Sequence, residues 1–156
     1  MNAGTICQRP VVTIRRSDEV TQAAQLMRDK HVGCLVVVEP HFVEGCLRAV
    51  GILTDRDIVV SVVARQINPA AVRVGAIMTP NPCTVAETAS IAHALQEMRR
   101  SGVRRVPVIG ARGELVGILC FDELLKVVAA ETQDMVAAVR NERQIEGATR
   151  PQAAER

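Results

Sequence analysis

Residues able to do chemistry are few in this chain, and they are concentrated. Gly51-Ile52-Leu53-Thr54-Asp55-Arg56-Asp57 sets a hydroxyl and a carboxylate three positions apart. They follow an apolar, β-branched run, Ala49–Leu53, that reads as a buried strand. Ile58, Val59, Val62 and Val63 then recur at helical spacing. A strand that opens into a helix N-terminus presents free N–H groups, a hydroxyl and a carboxylate on one small surface. The N–H groups and the hydroxyl suit a phosphate, and the carboxylate suits a pair of ribose hydroxyls. The same two residues also make a capping box. In it the Thr54 hydroxyl accepts from the Asp57 amide, and Asp57 accepts from the Thr54 N–H.

Other chemistries find little support. With three histidines and no Ser/His/Asp constellation, no catalytic centre is expected. No G-x-x-x-x-G-K-[ST] or G-x-G-x-x-G motif occurs. His31 precedes Cys34 by three and His41 precedes Cys46 by five, but a metal needs three or four ligands, so none is expected. The five cysteines, Cys7, Cys34, Cys46, Cys83 and Cys120, are odd in number and form no C-x-x-C. That pattern points to reduced thiols and a cytoplasmic setting. Cys83 or Cys120 could serve a thiol redox function, against the plainer role of small apolar filler.

Composition bounds the rest. Hydrophobic residues make up 48%, enough for a core. Phe42 and Phe121 are the only aromatics, so that core is aliphatic, and the usual platforms for stacking single-stranded nucleic acid are missing. A net charge of +2 is too small to argue for nucleic acid. No apolar run approaches a membrane span and no signal-peptide pattern is seen.

The elements that position the candidates come as a repeat. Thr13–Val38 matches Thr84–Ile109 at a shift of 71, with Ala23/Ala94, Gln25/Gln96, Met27/Met98, Arg28/Arg99 and Val37/Val108 identical. The shift also pairs Ile6 with Ile77, and Gly51-Ile52-Leu53 pairs with Gly117-Ile118-Leu119 at a shift of 66. Each copy reads as β-α-β-β-α. Strands are expected at Val11–Ile14 and Cys83–Val85, then helices capped by Ser17 and Thr88. Their apolar faces are Val20/Ala23/Ala24/Met27 and Ile91/Ala94/Leu95/Met98. Strands follow at Cys34–Val38 and Val106–Ile109, then at Ala49–Leu53 and Leu115–Leu119. The crossover favours a parallel pair and the short turn a hairpin. The expected fold is α/β (α+β), two β-α-β-β-α repeats packed with pseudo-twofold symmetry. Repeat 1 spans 1–66, a linker 67–75, and repeat 2 with an extended closing helix 76–143. The polar stretch 144–156 is expected to be a frayed tail.

The pattern resembles a tandem pair of cystathionine-β-synthase (CBS) domains, a Bateman module, over roughly Ile6–Ala130. The resemblance rests on Ile77-Met78-Thr79, Arg104-Arg105-Val106-Pro107-Val108 and Gly51–Asp57. It implies a stand-alone regulatory module, not an enzyme, that binds AMP, ADP, ATP or S-adenosylmethionine between its copies and signals to an effector protein. Carried over residue by residue, copy one supplies Ile52, Thr54, Arg56 and Asp57, and copy two supplies Pro82, Cys83, Val103, Arg104, Arg105 and Pro107. Asp57 would hold the ribose, while Thr54 and Arg104 or Arg105 hold the phosphate. Ile52, Val103 and Pro107 would sandwich the purine. The second cleft departs from this pattern. Cys120 and Glu123 replace Thr54 and Asp57, and Gly33-Cys34 replaces Arg104-Arg105, so no cation faces a phosphate there. The resemblance also implies a homodimer. Leu124, Leu125, Val127, Val128, Met135, Val136 and Val139 of the closing helix offer apolar surface for one. A ligand-free dimerisation scaffold is the alternative reading.

Overall fold

The computed structural model describes residues 1–43 and 45–149. Residues Met1–Phe121 form one compact unit, and the described residues from Asp122 to Thr149 belong to another.

Within the first unit the two copies build two sheets. Copy one contributes β1 (Thr13–Arg15), α2 (Val20–Lys30), β2 (Cys34–Pro40), β3 (Leu47–Thr54) and α3 (Asp55–Ile58). Copy two contributes β5 (Val85–Ala86), α5 (Ile91–Ser101), β6 (Arg105–Ile109) and β7 (Leu115–Cys120). In both, the first strand runs parallel to the second and the second antiparallel to the third. The parallel crossover and the hairpin expected from the loop lengths are thus both present. Three expected details shift. Glu19 and Ser90, not Ser17 and Thr88, occupy the N-cap positions. The first strand of copy one starts at Thr13 rather than Val11, and that of copy two at Val85 rather than Cys83. The chain after α3 continues as a π-helical turn, Val59–Val63, closed by Ala64 N–H to Val59 C=O at 2.8 Å.

Strand β2 explains why its apolar run is unbroken. Leu35 and Val37 turn to one face and pack with Val20, Ala23, Met27, Ile58 and Val62 of the helices. Cys34, Val36 and Val38 turn to the other face and pack with Ile118 of β7. Successive strand residues alternate faces, so a strand buried on both sides needs apolar residues throughout. The second of these layers is where the sheets of the two copies meet.

The repeat hides an exchange. The lead-in to copy two, α4 (Val74–Ile77) followed by β4 (Thr79–Pro80), belongs to the sheet of copy one, where Thr79 pairs with Ile52. The lead-in to copy one, α1 (Ala3–Ile6) followed by Gln8, lies on copy two, where Gln8 pairs with Ile118. The shifts of 71 and 66 carry the pair Thr79/Ile52 onto the pair Gln8/Ile118. The expected linker 67–75 is accordingly structured, with a 3₁₀ turn at Pro69–Ala71 and the start of α4.

The closing helix α6 spans Phe121–Thr149, six residues beyond the expected end at Arg143. The rest of the expected tail, 150–156, lies outside the described residues.

Candidate functional site

Thr54 ends β3 and is the N-cap of α3. Its N–H donates to Asp57 Oδ2 at 2.8 Å and its hydroxyl donates to the same oxygen at 2.7 Å. The Asp57 N–H donates back to the Thr54 hydroxyl at 3.2 Å. The capping box is therefore fully formed. All the bonds that Asp57 accepts among the described residues fall on Oδ2, and Oδ1 accepts none of them. The cap does not compete with a ligand: it fixes the carboxylate and leaves one oxygen available.

Asp57 lies in the wall of a cleft of about 650 Å³ lined by both copies, within the roughly 300–1,000 Å³ usual for small-molecule sites. Of the residues singled out from the sequence, Ile52, Thr54, Asp57, Pro82, Cys83, Val103, Arg104 and Arg105 line it. Arg56 and Pro107 do not. Arg56 is exposed in the first turn of α3, where its amide is bonded by Asp55 Oδ1 at 2.8 Å. Pro107 is fully buried and pairs with Ile118, which places it in the layer between the sheets.

The cleft also takes in Cys34, Thr79, Asn81, Arg100, Ser101 and Gly102, which sequence reasoning missed. Thr79 and Asn81 arrive because the lead-in to copy two is a strand of copy one. Asn81 sits at φ 49°, a left-handed conformation that asparagine tolerates, and its N–H donates to Val50 C=O at 3.1 Å. This turn brings Pro82 and Cys83 back to the cleft wall. The matching shifts around Gln8 and Thr79 were the signal that could have revealed it.

The electrostatics are uneven. Arg105 makes no ion pair among the described residues, and it lies close enough to Cys34 to favour the thiolate. Arg100 is committed to Glu97 through a contact of 2.6 Å. Bonds from Arg100, with a lesser one from the Cys83 thiol at 3.7 Å, hold the Glu97 carboxyl below its ordinary range. Burial pushes the Cys34 thiol up to about 11, with Cys120, Asp57 and Asp55 adding to the effect and Arg105 opposing it. No group of three or more His, Cys, Asp or Glu residues is placed to hold a metal among the described residues. No described helix is long and apolar enough to cross a membrane.

Two stacked β-α-β-β units with a cleft between them define a tandem CBS arrangement. The CBS domain family matches this chain over residues 3–64 and 74–130, and the chain belongs to that family. Among relatives, protein MK0525 of Methanopyrus kandleri is 30% identical over 127 residues, 81% of this chain and 62% of that protein. Hypoxic response protein 1 of Mycobacterium tuberculosis is 35% identical over 119 residues, 76% of this chain and 75% of that one. The crystal structure of Hypoxic Response Protein I with two coordinated zinc ions superposes with a TM-score of 0.69 at 30% identity, covering 81% of this chain and 98% of that one. The CBS domain protein PAE2072 from Pyrobaculum aerophilum, complexed with AMP, superposes at 0.70 with 25% identity, covering 83% and 99%.

Proposed function

We propose that this chain is a regulatory module. It binds an adenosine-containing ligand of the AMP, ADP, ATP or S-adenosylmethionine class between its repeats, and passes occupancy to an effector protein without catalysis of its own. The observation that carries this reading is the juxtaposition across one cleft of an oriented carboxylate, Asp57, and an unpaired cation, Arg105. The open Oδ1 suits vicinal ribose hydroxyls, and Arg105, with Arg104 beside it, suits a phosphate. Ile52 and Val103 offer apolar contact to a purine, and Val103 is 37% exposed. The AMP complex of PAE2072 supports the same ligand class. All five cysteines are free thiols, which fits a cytoplasmic protein.

The test is thermal unfolding with adenosine, AMP, ADP, ATP and S-adenosylmethionine. A ligand at a hundred times its dissociation constant stabilises by roughly 2.7 kcal/mol. At least one phosphate-bearing compound is expected to raise the melting temperature by several degrees. Arg105→Ala is expected to reduce that shift for AMP and leave adenosine unchanged. No shift with any compound would favour the scaffold reading.

The module is proposed to act as a homodimer. Val59, Val60 and Val63 of the first unit are each more than half exposed. On α6, Leu125, Val128, Met135, Val136 and Val139 are exposed, whereas Leu124 is buried. Apolar surface of this kind marks association. Light scattering is expected to give twice the chain mass with and without nucleotide; a monomer in both would overturn this.

A further inference from the structure

The cleft holds more positive charge than a single phosphate uses. Among the described residues, Asp57 is the only acid in its lining, against Arg100, Arg104 and Arg105. Arg105, with Arg104 beside it, answers to a first phosphate. Arg100 is left over. It stands in the last turn of α5, and Gly102, at φ 65°, turns the chain from that helix towards β6. The stretch 100–105 thereby brings all three arginines to one cleft.

The Arg100 guanidinium is engaged by an acid outside the cleft lining. Its Nη2 donates to Glu97 Oε2 at 2.6 Å and its Nε to the same oxygen at 3.2 Å. The two partners are unequally held. The Glu97 side chain is 19% exposed and that of Arg100 is 70% exposed. Glu97 Oε2 also accepts from the thiol of Cys83, itself in the cleft wall, at 3.7 Å. An ion pair of this exposed i,i+3 kind is weak. A terminal phosphate carries more negative charge than a carboxylate and can take the guanidinium from it.

We propose that Arg100 is the specificity residue for a second phosphate, and that Glu97 is a built-in competitor that holds Arg100 when the ligand carries only one. The inference rests on the nucleotide reading of this cleft and narrows it: the preferred ligand is a nucleoside diphosphate or triphosphate. With a monophosphate bound, the Arg100–Glu97 pair persists and contributes nothing to affinity. With a longer phosphate chain, phosphate oxygens replace the Glu97 carboxylate on the guanidinium, and Glu97 keeps its Cys83 donor. Arg100 exchanges one anionic partner for another of higher charge, so the net gain belongs to the ligands that reach it.

The experiment is calorimetry on the full chain with AMP, ADP and ATP, for the parent, Arg100→Ala and Glu97→Gln. The parent is expected to bind ADP or ATP roughly tenfold more tightly than AMP, as one added charge-assisted bond provides. Arg100→Ala is expected to abolish that preference while AMP affinity stays within about twofold. Glu97→Gln keeps the side chain's size and removes the competing charge. It is expected to raise ADP or ATP affinity by roughly threefold and leave AMP unchanged, a gain that a merely structural role for Glu97 would not give. A parent that prefers AMP, an Arg100→Ala loss equal for all three, or a Glu97→Gln protein that binds ADP and ATP more weakly would each overturn the inference while leaving the nucleotide reading intact. A parent that binds none of the three would overturn both. Should Arg100→Ala fold poorly, Glu97→Gln decides the matter, because tighter binding requires a folded cleft.

Discussion

Asp57→Ala is expected to weaken adenine-nucleotide binding by roughly thirtyfold or more. Removing one partner of a buried charged hydrogen bond costs about 2–5 kcal/mol, and each 1.4 kcal/mol is tenfold in affinity. The carboxylate is held rather than mobile. Two donors from Thr54 fix Oδ2, at 2.8 and 2.7 Å, so the ligand need not order Oδ1. The same substitution removes half of a capping box, which costs about 0.5–2 kcal/mol of stability. Calorimetry must therefore be read beside a melting curve. Asp57→Asn separates the two roles, because its amide oxygen still accepts from the Thr54 N–H while the charge facing the ribose is gone. The expected order of affinity is parent, then Asn, then Ala. Glu123→Ala is expected to leave binding at this cleft unchanged; in α6 its carboxylate is engaged by Lys126 Nζ at 2.9 Å. An Asp57→Ala protein that binds like the parent would reduce Thr54 and Asp57 to a helix cap.

The two possible uses of Thr54 and Asp57 were legible in the sequence as alternatives, and the geometry makes them compatible. A capping box needs one carboxylate oxygen; a ribose can use the other. The β-α-β-β order and the unbroken apolar run of β2 were also readable, because alternation fails only where both strand faces are buried. Pro107 falls outside the cleft lining, and the strand pattern does not show why. Its neighbour Arg105 lines the cleft, and side chains two apart on a strand share a face. Position along the strand separates them: Arg105 opens β6 at its end, whereas Pro107 lies opposite Ile118 in the interior. Arg56 follows Asp55 around the first helical turn, and helical rotation carries it away from the face that Asp57 shares with Thr54. Period-two and period-3.6 patterns report burial, and they carry no information about how far along an element a cleft extends. The exchanged lead-in segments left a trace only in the equal spacing of Gln8 and Thr79 from their partners.

Deleting residues 1–8 is expected to lower the melting temperature by about 8–16 °C, the largest stability effect foreseen for the folded unit. The segment is short and precedes the first expected strand of copy one, Val11–Ile14. In the structure Ala3 is fully buried, and the segment's backbone bonds to copy two. Ala3 N–H donates to Ala89 C=O and Gly4 N–H to Glu87 C=O, both at 2.8 Å. Gln8 and Ile118 exchange bonds of 2.9 and 3.3 Å. Four such bonds at about 1 kcal/mol each give about 4 kcal/mol, and at this chain length each kcal/mol moves the midpoint by about 2–4 °C. Gly117 tests the same contact without truncation. A Cβ there would run into the Cys7 side chain and come within 3.2 Å of the Gln8 carbonyl, where backbone cannot yield cheaply. Its counterpart Gly51 would meet Met78 Sδ at 2.5 Å and the Thr79 carbonyl at 3.1 Å. Gly117→Val is therefore expected to destabilise about as much as the deletion, and combining the two should add little, since both act by removing one contact. Additive losses, or a deletion that melts within about 2 °C of the parent, would show that the first eight residues do not support the sheet of copy two.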